Sequence, residues 1–460
     1  MGDKRQKNQL ELAFTVERKG EARKPSGKGT ESSLANYQSE SLAESERLME
    51  AVCEAKNLKQ ALKRVKSNDG GPGIDGMKTV ELAPWLIANW SRIREELLTG
   101  RYRPQAVKRV EIEKPDGGTR KLGVPTVIDR FVQQSVLQIL QQIWDPTFSE
   151  SSYGFRENRS AHQAVATVQG YLREGYNWVV DIDLEKFFDR VNHDRLMARL
   201  ATRVRDKRIL KLVRAFLTSG VLEDGLVSPS EEGTPQGGPL SPLLSNIVLD
   251  ELDQELEKRG HKFARYADDC NIYVRSERAG QRVMNSLRRL LTTKLRLKIN
   301  ETKSAVGRPQ ERKFLGFSFT GGRQPGRRKI SPQAKRRFEE RIRELTRRKR
   351  GRKLDDIVEE LNRYLTGWRG YFGFCETPNV LKELDGWIRR RLRAYVWKQW
   401  KTFKRRRMVL MRRNVSRVHA TQLAASQKGP WRISRTHTLQ RALPNAFFDS
   451  IGLRRLLQSA

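Results

Sequence analysis

Apolar and polar residues follow helical spacing in some segments of the chain and strict alternation in others. From about Glu46 to Lys66 and from about Thr79 to Thr99, apolar side chains recur every three or four positions, which predicts amphipathic helices. The same pattern predicts further helices over about 129–144, 160–174, 280–294 and 384–404, and a long helix that follows the loop 233–242 and runs to about 258. Alternation predicts strands at 107–112, 178–189 and 314–319. Beyond Arg323 the pattern is helical until the basic stretch 408–460, for which its turn-forming residues predict loops.

Two short runs of aromatic and β-branched residues surround a polar centre at Tyr266–Asp269. This pattern predicts a hairpin with Asp268 and Asp269 at its tip. Two carboxylates ~4 Å apart repel each other by roughly 4 kcal/mol at an effective dielectric constant of ~20. A divalent cation between them removes that cost, and oxygen ligands of this kind suit Mg²⁺. The alternative, a solvated Asp-Asp turn, is disfavoured because a second acidic strand lies upstream.

That second acidic strand contains Asp181 and Asp183, which alternate with apolar residues and therefore project from one face. An aspartate at this place, beside the hairpin tip, would complete a three-carboxylate metal site. Two metal ions bridged by such carboxylates can activate a primer 3′-hydroxyl and stabilise the leaving pyrophosphate. The pattern alone leaves open which of the two aspartates takes part.

Two glycine-rich segments could approach a nucleotide. The stretch 233–242 precedes a long helix and lies between the two acidic segments, where its glycines permit close backbone approach. Lys114 and Arg120 flank a Pro-Asp-Gly-Gly turn between two predicted strands, from which both could reach a triphosphate. A solvated basic hairpin is the alternative for this second segment.

The charge of the chain indicates a polyanionic partner. Lys and Arg number 91 against 54 Asp and Glu, which gives a formal net charge of +37 over 460 residues. Nucleic acid is the usual partner of such a chain. A membrane partner is disfavoured because no apolar run approaches the ~18 residues of a span. The three cysteines, Cys53, Cys270 and Cys375, are isolated, so neither zinc nor disulfides are expected, and a cytoplasmic location fits.

These segments resemble, in their order along the chain, the bacterial group II intron-encoded reverse transcriptase/maturases from about residue 46 to the end. The motifs that support the resemblance are Lys114–Arg120, Tyr153–Arg156, Asp183–Asp189, Thr234–Gly238, Tyr266–Asp269 and Phe314–Phe317. The resemblance implies an α/β right-hand polymerase, with a mainly antiparallel sheet in fingers and palm, followed by an α-helical thumb/maturase domain. The implied domains are a polar, disordered extension (1–45), N-terminal extension and fingers (46–150), palm (151–322), thumb/maturase (323–407) and a basic nucleic-acid-binding region (408–460).

The resemblance also assigns residue roles. Asp183, Asp268 and Asp269 correspond to the catalytic, metal-binding carboxylates. Asp183 is preferred to Asp181 because the family places this aspartate five residues before an aromatic, here Phe188. The implied nucleotide-binding residues are Lys114 and Arg120 for the triphosphate, Phe188 to screen out a ribose 2′-hydroxyl, Gln236 near the incoming nucleotide, and Lys303 to assist pyrophosphate departure.

The implied function is RNA-directed DNA polymerisation that copies intron RNA into DNA, together with maturase binding of intron RNA for splicing and mobility. It requires Mg²⁺, for which Mn²⁺ can substitute, a DNA primer or target, and dNTPs. A non-catalytic splicing factor that kept the fold is one alternative. An RNA-directed RNA polymerase is another, disfavoured by Phe188. Many relatives add a zinc-dependent endonuclease with paired cysteines, which this sequence lacks, so an endonuclease-lacking, class C-like branch is expected.

Overall fold

A computed structural model describes residues 46–113, 118–223, 226–228, 232–234, 237–322, 325–348 and 351–457. The described residues form two compact units. The first comprises the residues up to Ala164 together with Trp178–Val306. The second comprises Val165–Asn177 and the residues from Gly307 onward.

The first unit combines helices with two four-stranded sheets. Its helices are α1 (Leu48–Val52), α2 (Ala55–Asn68), α3 (Leu82–Leu98), α4 (Val127–Trp144), α5 (Ala161–Arg173, which continues into the second unit), α6 (His193–Ala201), α7 (Lys207–Leu217), α8 (Ser241–Lys258) and α9 (Glu277–Arg289). Its strands are β1 (Val107–Glu113), β2 (Thr119–Val124), β3 (Trp178–Ile182), β4 (Val221–Glu223), β5 (Leu226–Ser228), β6 (Lys262–Tyr266), β7 (Asp269–Val274) and, at the boundary with the second unit, β8 (Ala305–Gly307).

The sheet that positions the acidic residues has the strand order β6-β7-β3-β8, and β7 pairs antiparallel with both β6 and β3. Val180, Ile182 and Ile272 on these strands are fully buried. Helix α9 packs on β3 and β7, and α8 packs on β6. Each such apolar side chain contributes about 1.5–3 kcal/mol through burial. The second sheet, in the order β2-β1-β4-β5, contains the predicted basic hairpin β1–β2.

The first predicted helix is interrupted. The sequence pattern suggested one helix over 46–66, but the structure ends α1 at Val52 and begins α2 at Ala55. Glu54 between them has extended backbone angles. The side-chain amide of Asn57 donates to the Val52 carbonyl (2.9 Å) and so satisfies an acceptor at the end of α1. The apolar spacing continues across this break, which is why periodicity alone did not show it.

The second unit is mainly helical. It contains the antiparallel strands β9 (Phe317–Phe319) and β10 (Arg328–Ile330). Its helices are α10 (Pro332–Leu345), α11 (Leu354–Phe372), α12 (Pro378–Gln399), α13 (Phe403–Arg412), α14 (Arg417–Ala425), α15 (Pro430–Ile433), α16 (His437–Ala442) and α17 (Asn445–Ser450). Phe338, Ile388 and Trp397 are among the fully buried residues of its core.

Two predictions for the second unit were wrong in detail. The strand expected at 314–319 begins only at Phe317, because Leu315 and Gly316 have φ of +51° and +80° and form a tight turn. A Cβ at Gly316 would lie 3.1 Å from the Phe372 ring.

The stretch 408–460, expected to be loop-like, folds largely into the short helices α13–α17. Leu410, Leu439 and Phe448 bury completely in the core of the second unit. Asp385 of α12 accepts the backbone N–H groups of Leu456 (3.0 Å) and Leu457 (3.1 Å), which fixes the end of this stretch. The helices α14–α17 are too short to produce a readable helical period.

No helix in the described part of the chain is both long and apolar enough to cross a membrane.

Candidate active site

The tip of the β6–β7 hairpin is a two-residue turn, Ala267–Asp268. Tyr266 and Asp269 form the pair that closes it. Ala267 has φ of +58°, a left-handed conformation that glycine or asparagine usually supplies in such turns. For an L-residue this conformation costs roughly 1–2 kcal/mol, and it persists where the surroundings enforce it. The turn leaves Asp268 partly buried and exposes Asp269 at the start of β7.

Asp183 directly follows β3 and lies at the same end of the sheet. The last β3–β7 pair joins Ile182 to Cys270, so continuing the register by one residue places Asp183 opposite Asp269. The backbone N–H of Asp183 donates to Ser304 Oγ (2.9 Å), which fixes the residue beyond the strand end. The structure therefore brings the three predicted carboxylates to one edge of the sheet.

The carboxylates of Asp183 and Asp268 are close enough to affect each other. Burial raises the pKa of Asp268, and the negative charge of Asp183 raises it further, while the cations of Arg120 and Arg265 act in the opposite direction. A divalent cation would relieve this repulsion, and carboxylate oxygens are ligands that Mg²⁺ prefers. The donor chemistry therefore fits the metal. Within the described ranges, however, no three His, Cys, Asp or Glu side chains are arranged as a ready-made metal site.

The contacts of Lys303 and Asp181 bear on whether Asp183 or Asp181 belongs to the acidic site. The Lys303 ammonium is 3.8 Å from Asp183 Oδ2 and is two-thirds exposed, so the structure brings these two predicted residues together. Asp181 is paired across the sheet with Asn271. The amide nitrogen of Asn271 donates to Asp181 Oδ1 (3.0 Å) in the amide orientation that satisfies both groups. Asp181 thus has a partner within the sheet, whereas Asp183 lies beyond its end.

The glycine-rich loop begins against the turn that contains Phe188. The Thr234 N–H donates to the Phe188 carbonyl (2.6 Å), and the Gly233 N–H donates to the Val191 carbonyl (2.9 Å). Gly233 has φ of +90°, and a Cβ there would lie 2.8 Å from the Phe188 oxygen, so a side chain is excluded. Phe188 itself is partly buried against Phe187, with the ring centroids 5.3 Å apart. The loop and the aromatic residue are therefore held as neighbours.

The same loop approaches the β1–β2 hairpin further along. Gly237 has φ of +137°, and a Cβ there would lie 2.8 Å from the Gly123 carbonyl oxygen of β2. Arg120 is exposed on β2. The other two predicted nucleotide-binding residues, Lys114 and Gln236, lie outside the described residues.

A buried arginine that sequence reasoning did not single out supports the hairpin tip. Arg265 is completely buried, and its guanidinium donates twice to Asp253, which is also completely buried (Nε–Oδ1 2.7 Å). Its other N–H groups donate to Asn246 Oδ1 (3.0 Å), the Ala267 carbonyl (3.0 Å) and Ser152 Oγ (2.8 Å). All five donors of the guanidinium are thus used. The Ala267 bond holds the strained turn.

The segment before α5 packs directly against the tip. A Cβ on Gly154 would lie only 2.3 Å from the Ala267 nitrogen, so glycine is needed for this approach. The next residue, Phe155, has φ of +60° and is 50% exposed, with its ring centroid 6.4 Å from that of Tyr266. An exposed aromatic in a strained conformation beside the hairpin turn is a candidate contact for a base. Two features of the sequence could have indicated these residues. Arg265 lies within an otherwise apolar strand, and Gly154 directly precedes the aromatic Phe155.

Comparisons with known proteins identify what this chain is similar to. A family model described as reverse transcriptase (RNA-dependent DNA polymerase) matches residues 112–319, and one described as group II intron, maturase-specific domain matches residues 335–414. Protein YkfC of Escherichia coli K12 is 32% identical over 60% of this chain and 82% of that protein. The group II intron-encoded protein LtrA of Lactococcus lactis subsp. cremoris is 38% identical over 38% of this chain, although the match spans only 29% of LtrA. A chain of the partial Cas6-RT-Cas1–Cas2 complex aligns with 25% identity over 54% of this chain and 42% of that chain, with a TM-score of 0.35.

The match over residues 112–319 shows that the chain is a reverse transcriptase. The maturase-specific domain and the relatives place it more narrowly: it belongs to the group II intron reverse transcriptase/maturase family. The predicted fold class, a polymerase α/β region with a mainly antiparallel sheet followed by a helical region, is confirmed. The comparisons do not address the endonuclease-lacking branch, which stays a prediction.

Proposed function

We propose that this chain copies intron RNA into DNA from a DNA primer, using dNTPs, and that it also binds intron RNA to assist splicing and mobility. In this proposal residues 46–150 form the N-terminal extension and fingers, and residues 151–322 form the palm. Residues 323–407 form the thumb/maturase domain, and 408–460 form the basic nucleic-acid-binding region. The activity would take place at the edge of the β6-β7-β3-β8 sheet, where the acidic residues lie.

One observation supports the proposal most directly. Asp183 lies beyond the end of β3, opposite the hairpin tip, and its charge adds to burial in raising the pKa of Asp268. Two carboxylates held this close are a cost to the folded chain unless a cation is bound between them. Magnesium ions held by Asp183, Asp268 and Asp269 would activate the primer 3′-hydroxyl and stabilise the leaving pyrophosphate.

The remaining residues would position the nucleotide. Arg120, together with Lys114, would bind the triphosphate, and Gln236 would lie near the incoming nucleotide. Phe188, fixed by the glycine-rich loop, would exclude a 2′-hydroxyl. Lys303 is within reach of the reacting end of the sheet, as its ion pair with Asp183 indicates, and it would assist pyrophosphate departure.

Primer extension with matched acid-to-amide variants tests the assignment. The purified chain is given an RNA template, a DNA primer, dNTPs and Mg²⁺, beside Asp183→Asn and Asp181→Asn. We expect the parent to extend the primer, Asp183→Asn to be inactive, and Asp181→Asn to retain most activity, because Asn271 can still bond to an amide at 181. The two changes remove the same charge two residues apart, so each controls for the other.

The reverse outcome, an active Asp183→Asn and an inactive Asp181→Asn, would refute the assignment of the metal ligand. A folded, RNA-binding parent that extends no primer would refute the polymerase and favour the non-catalytic splicing factor. Incorporation of rNTPs as readily as dNTPs would favour an RNA-directed RNA polymerase. In that comparison Phe188→Ala should raise rNTP incorporation specifically, because it removes the ring that meets the 2′-position.

A further inference from the structure

A large basic cavity lies within the second unit. Its volume is about 1020 Å³, and it is lined by five arginines, two lysines, Thr346 and Pro430. Its cations come from α10 and the residues that follow it, from α12 and the residues that follow it, and from α13. No acidic side chain is among the described residues that line it. Seven positive charges around one concave space indicate an anionic ligand.

The arginines of the cavity are held in place mainly by neutral groups. Arg391 donates to Thr346 Oγ1 (2.7 Å) and to the Arg343 carbonyl (3.3 Å), and its guanidinium lies 5.2 Å from the Trp387 ring centroid. The Arg343 guanidinium lies over the same ring (5.5 Å) and pairs with Glu339 on its own helix (2.7 Å). These contacts orient the cations before any ligand is present, which lowers the ordering cost of binding.

Arg406 on α13 is also held by a carbonyl oxygen and an aromatic ring. Its Nε donates to the Trp400 carbonyl (2.7 Å), and its guanidinium lies 4.7 Å from the centroid of the buried Trp397. Burial, together with the charges of Arg343 and Arg348, lowers the pKa of Arg391 to about 10. Arg391 therefore stays protonated at neutral pH, and the cluster retains a mutual repulsion that an anion would relieve.

The size and rim of the cavity favour a nucleic acid over a small anion. Small-molecule sites occupy about 300–1,000 Å³, so this space accepts more than one phosphate group. Trp431 follows Pro430 at the edge and is 36% exposed, with Arg390 at 3.8 Å from its ring centroid. An exposed tryptophan next to a cationic groove suits an unpaired base, because base stacking needs an open ring face. Pro430 and Trp431 both lie beyond the segment matched by the maturase-specific model.

We propose that this cavity binds consecutive phosphates of an unpaired RNA segment, with Trp431 contacting a base at its edge. This inference rests on the proposed RNA binding of the chain and assigns that binding to particular side chains. It does not depend on polymerisation.

The salt dependence of binding by the full-length chain tests the proposal. The cavity variant changes four exposed cations, Arg347, Arg348, Lys398 and Lys401, each to Gln. The control variant changes four exposed cations of the same unit that do not line the cavity, Arg336, Arg363, Lys382 and Arg417, each to Gln. The probe is a labelled single-stranded RNA, with a duplex RNA of the same length beside it. Thermal unfolding of each variant verifies that it is folded.

For single strands, each phosphate contact contributes about 0.7 to the slope of log K against log salt concentration. We expect the cavity variant to lose up to about 2.8 units of slope and the control variant to lose much less. Equal losses in the two variants, or no loss in the cavity variant, would overturn the proposal. Displacement of the RNA by pyrophosphate at constant ionic strength, in the parent but not in the cavity variant, would instead identify a small-anion site and would also overturn it.

Trp431→Ala tests the unpaired base separately. We expect this variant to lose roughly 5- to 150-fold in affinity for the single strand, with the salt slope unchanged, and to lose little for the duplex. An equal loss for both probes would overturn the assignment of Trp431. A parent that binds with the expected slopes but extends no primer would contradict the polymerase and leave the cavity inference standing.

Discussion

The buried pair Arg265–Asp253 offers the sharpest test of how the fold supports the acidic tip. Both side chains are completely buried, and the guanidinium uses all five donors on four partners. Burial opposes the charge of Arg265, but Asp253 more than offsets it, so the pKa of Arg265 is raised. Arg265→Met keeps most of the volume and removes every one of these bonds.

Breaking a buried pair by removing one partner costs about 3–5 kcal/mol, because the other charge stays buried without compensation. Folding free energies are about 5–15 kcal/mol, so Arg265→Met should lose a large part of the stability of the first unit. Arg265→Met with Asp253→Leu should recover most of that loss, since an apolar pair of similar volume replaces an ion pair at little cost. The double variant nevertheless leaves the Ala267 carbonyl without its donor, so primer extension should remain low.

The assay is a double-mutant cycle in urea, followed by tryptophan fluorescence, with primer extension measured on each folded variant. A loss below about 1 kcal/mol in Arg265→Met would refute the buried pairing, because a surface ion pair is worth no more than that. Full extension by a stable double variant would refute the idea that the arginine positions the tip.

Three further outcomes are expected. Gly154→Ala should reduce primer extension, because the new Cβ would lie 2.3 Å from the Ala267 nitrogen. The control Gly71→Ala should leave primer extension unchanged, because there is open space around Gly71, and equal activity of the two variants would contradict the close approach. Phe155→Ala should weaken binding of template–primer without lowering the melting temperature, since the ring is 50% exposed; a lowered melting temperature with unchanged binding would mean a purely structural role. Arg455 and Arg389 hold the pKa of Asp449 down to about 2 from an ordinary 3.8, so its stabilising contribution is present above about pH 4 and is lost as the pH falls through 2. The acid unfolding curve of Asp449→Asn should lack this contribution. A parent curve identical to that of the variant would contradict the pairing.

The local parts of the site were predictable from the sequence. The flanking strand patterns indicate the hairpin, although its turn is Ala267–Asp268, and Asp269 is the first residue of β7 rather than part of the turn. The glycine-rich loop precedes α8, as expected. These features depend on residues within a few positions of one another. Alternation and turn-forming residues report such short-range structure well.

The supporting parts were not predictable, because they depend on residues far apart in the chain. Arg265 bonds to Ser152, 113 positions away, and no periodicity reports that contact. The break after Val52 depends on Asn57 and on packing, and the helices beyond residue 413 are shorter than the window that a helical period needs. Likewise, the basic cavity joins side chains of three helices and their flanking residues, and the helical pattern of each segment gives no sign that they meet.

Because Arg265 ties together β6, α8 and the segment at Ser152, these three regions can open only as one unit. Their amide hydrogens should therefore exchange with solvent at a common, slow rate set by a single cooperative opening. The described residues of β1 and β2 are mostly exposed and make none of the side-chain hydrogen bonds of Arg265, so their amide hydrogens should exchange much sooner. The protein would then combine an acidic edge that rarely opens with a basic hairpin that opens often, so that nucleotide entry need not disturb the carboxylates.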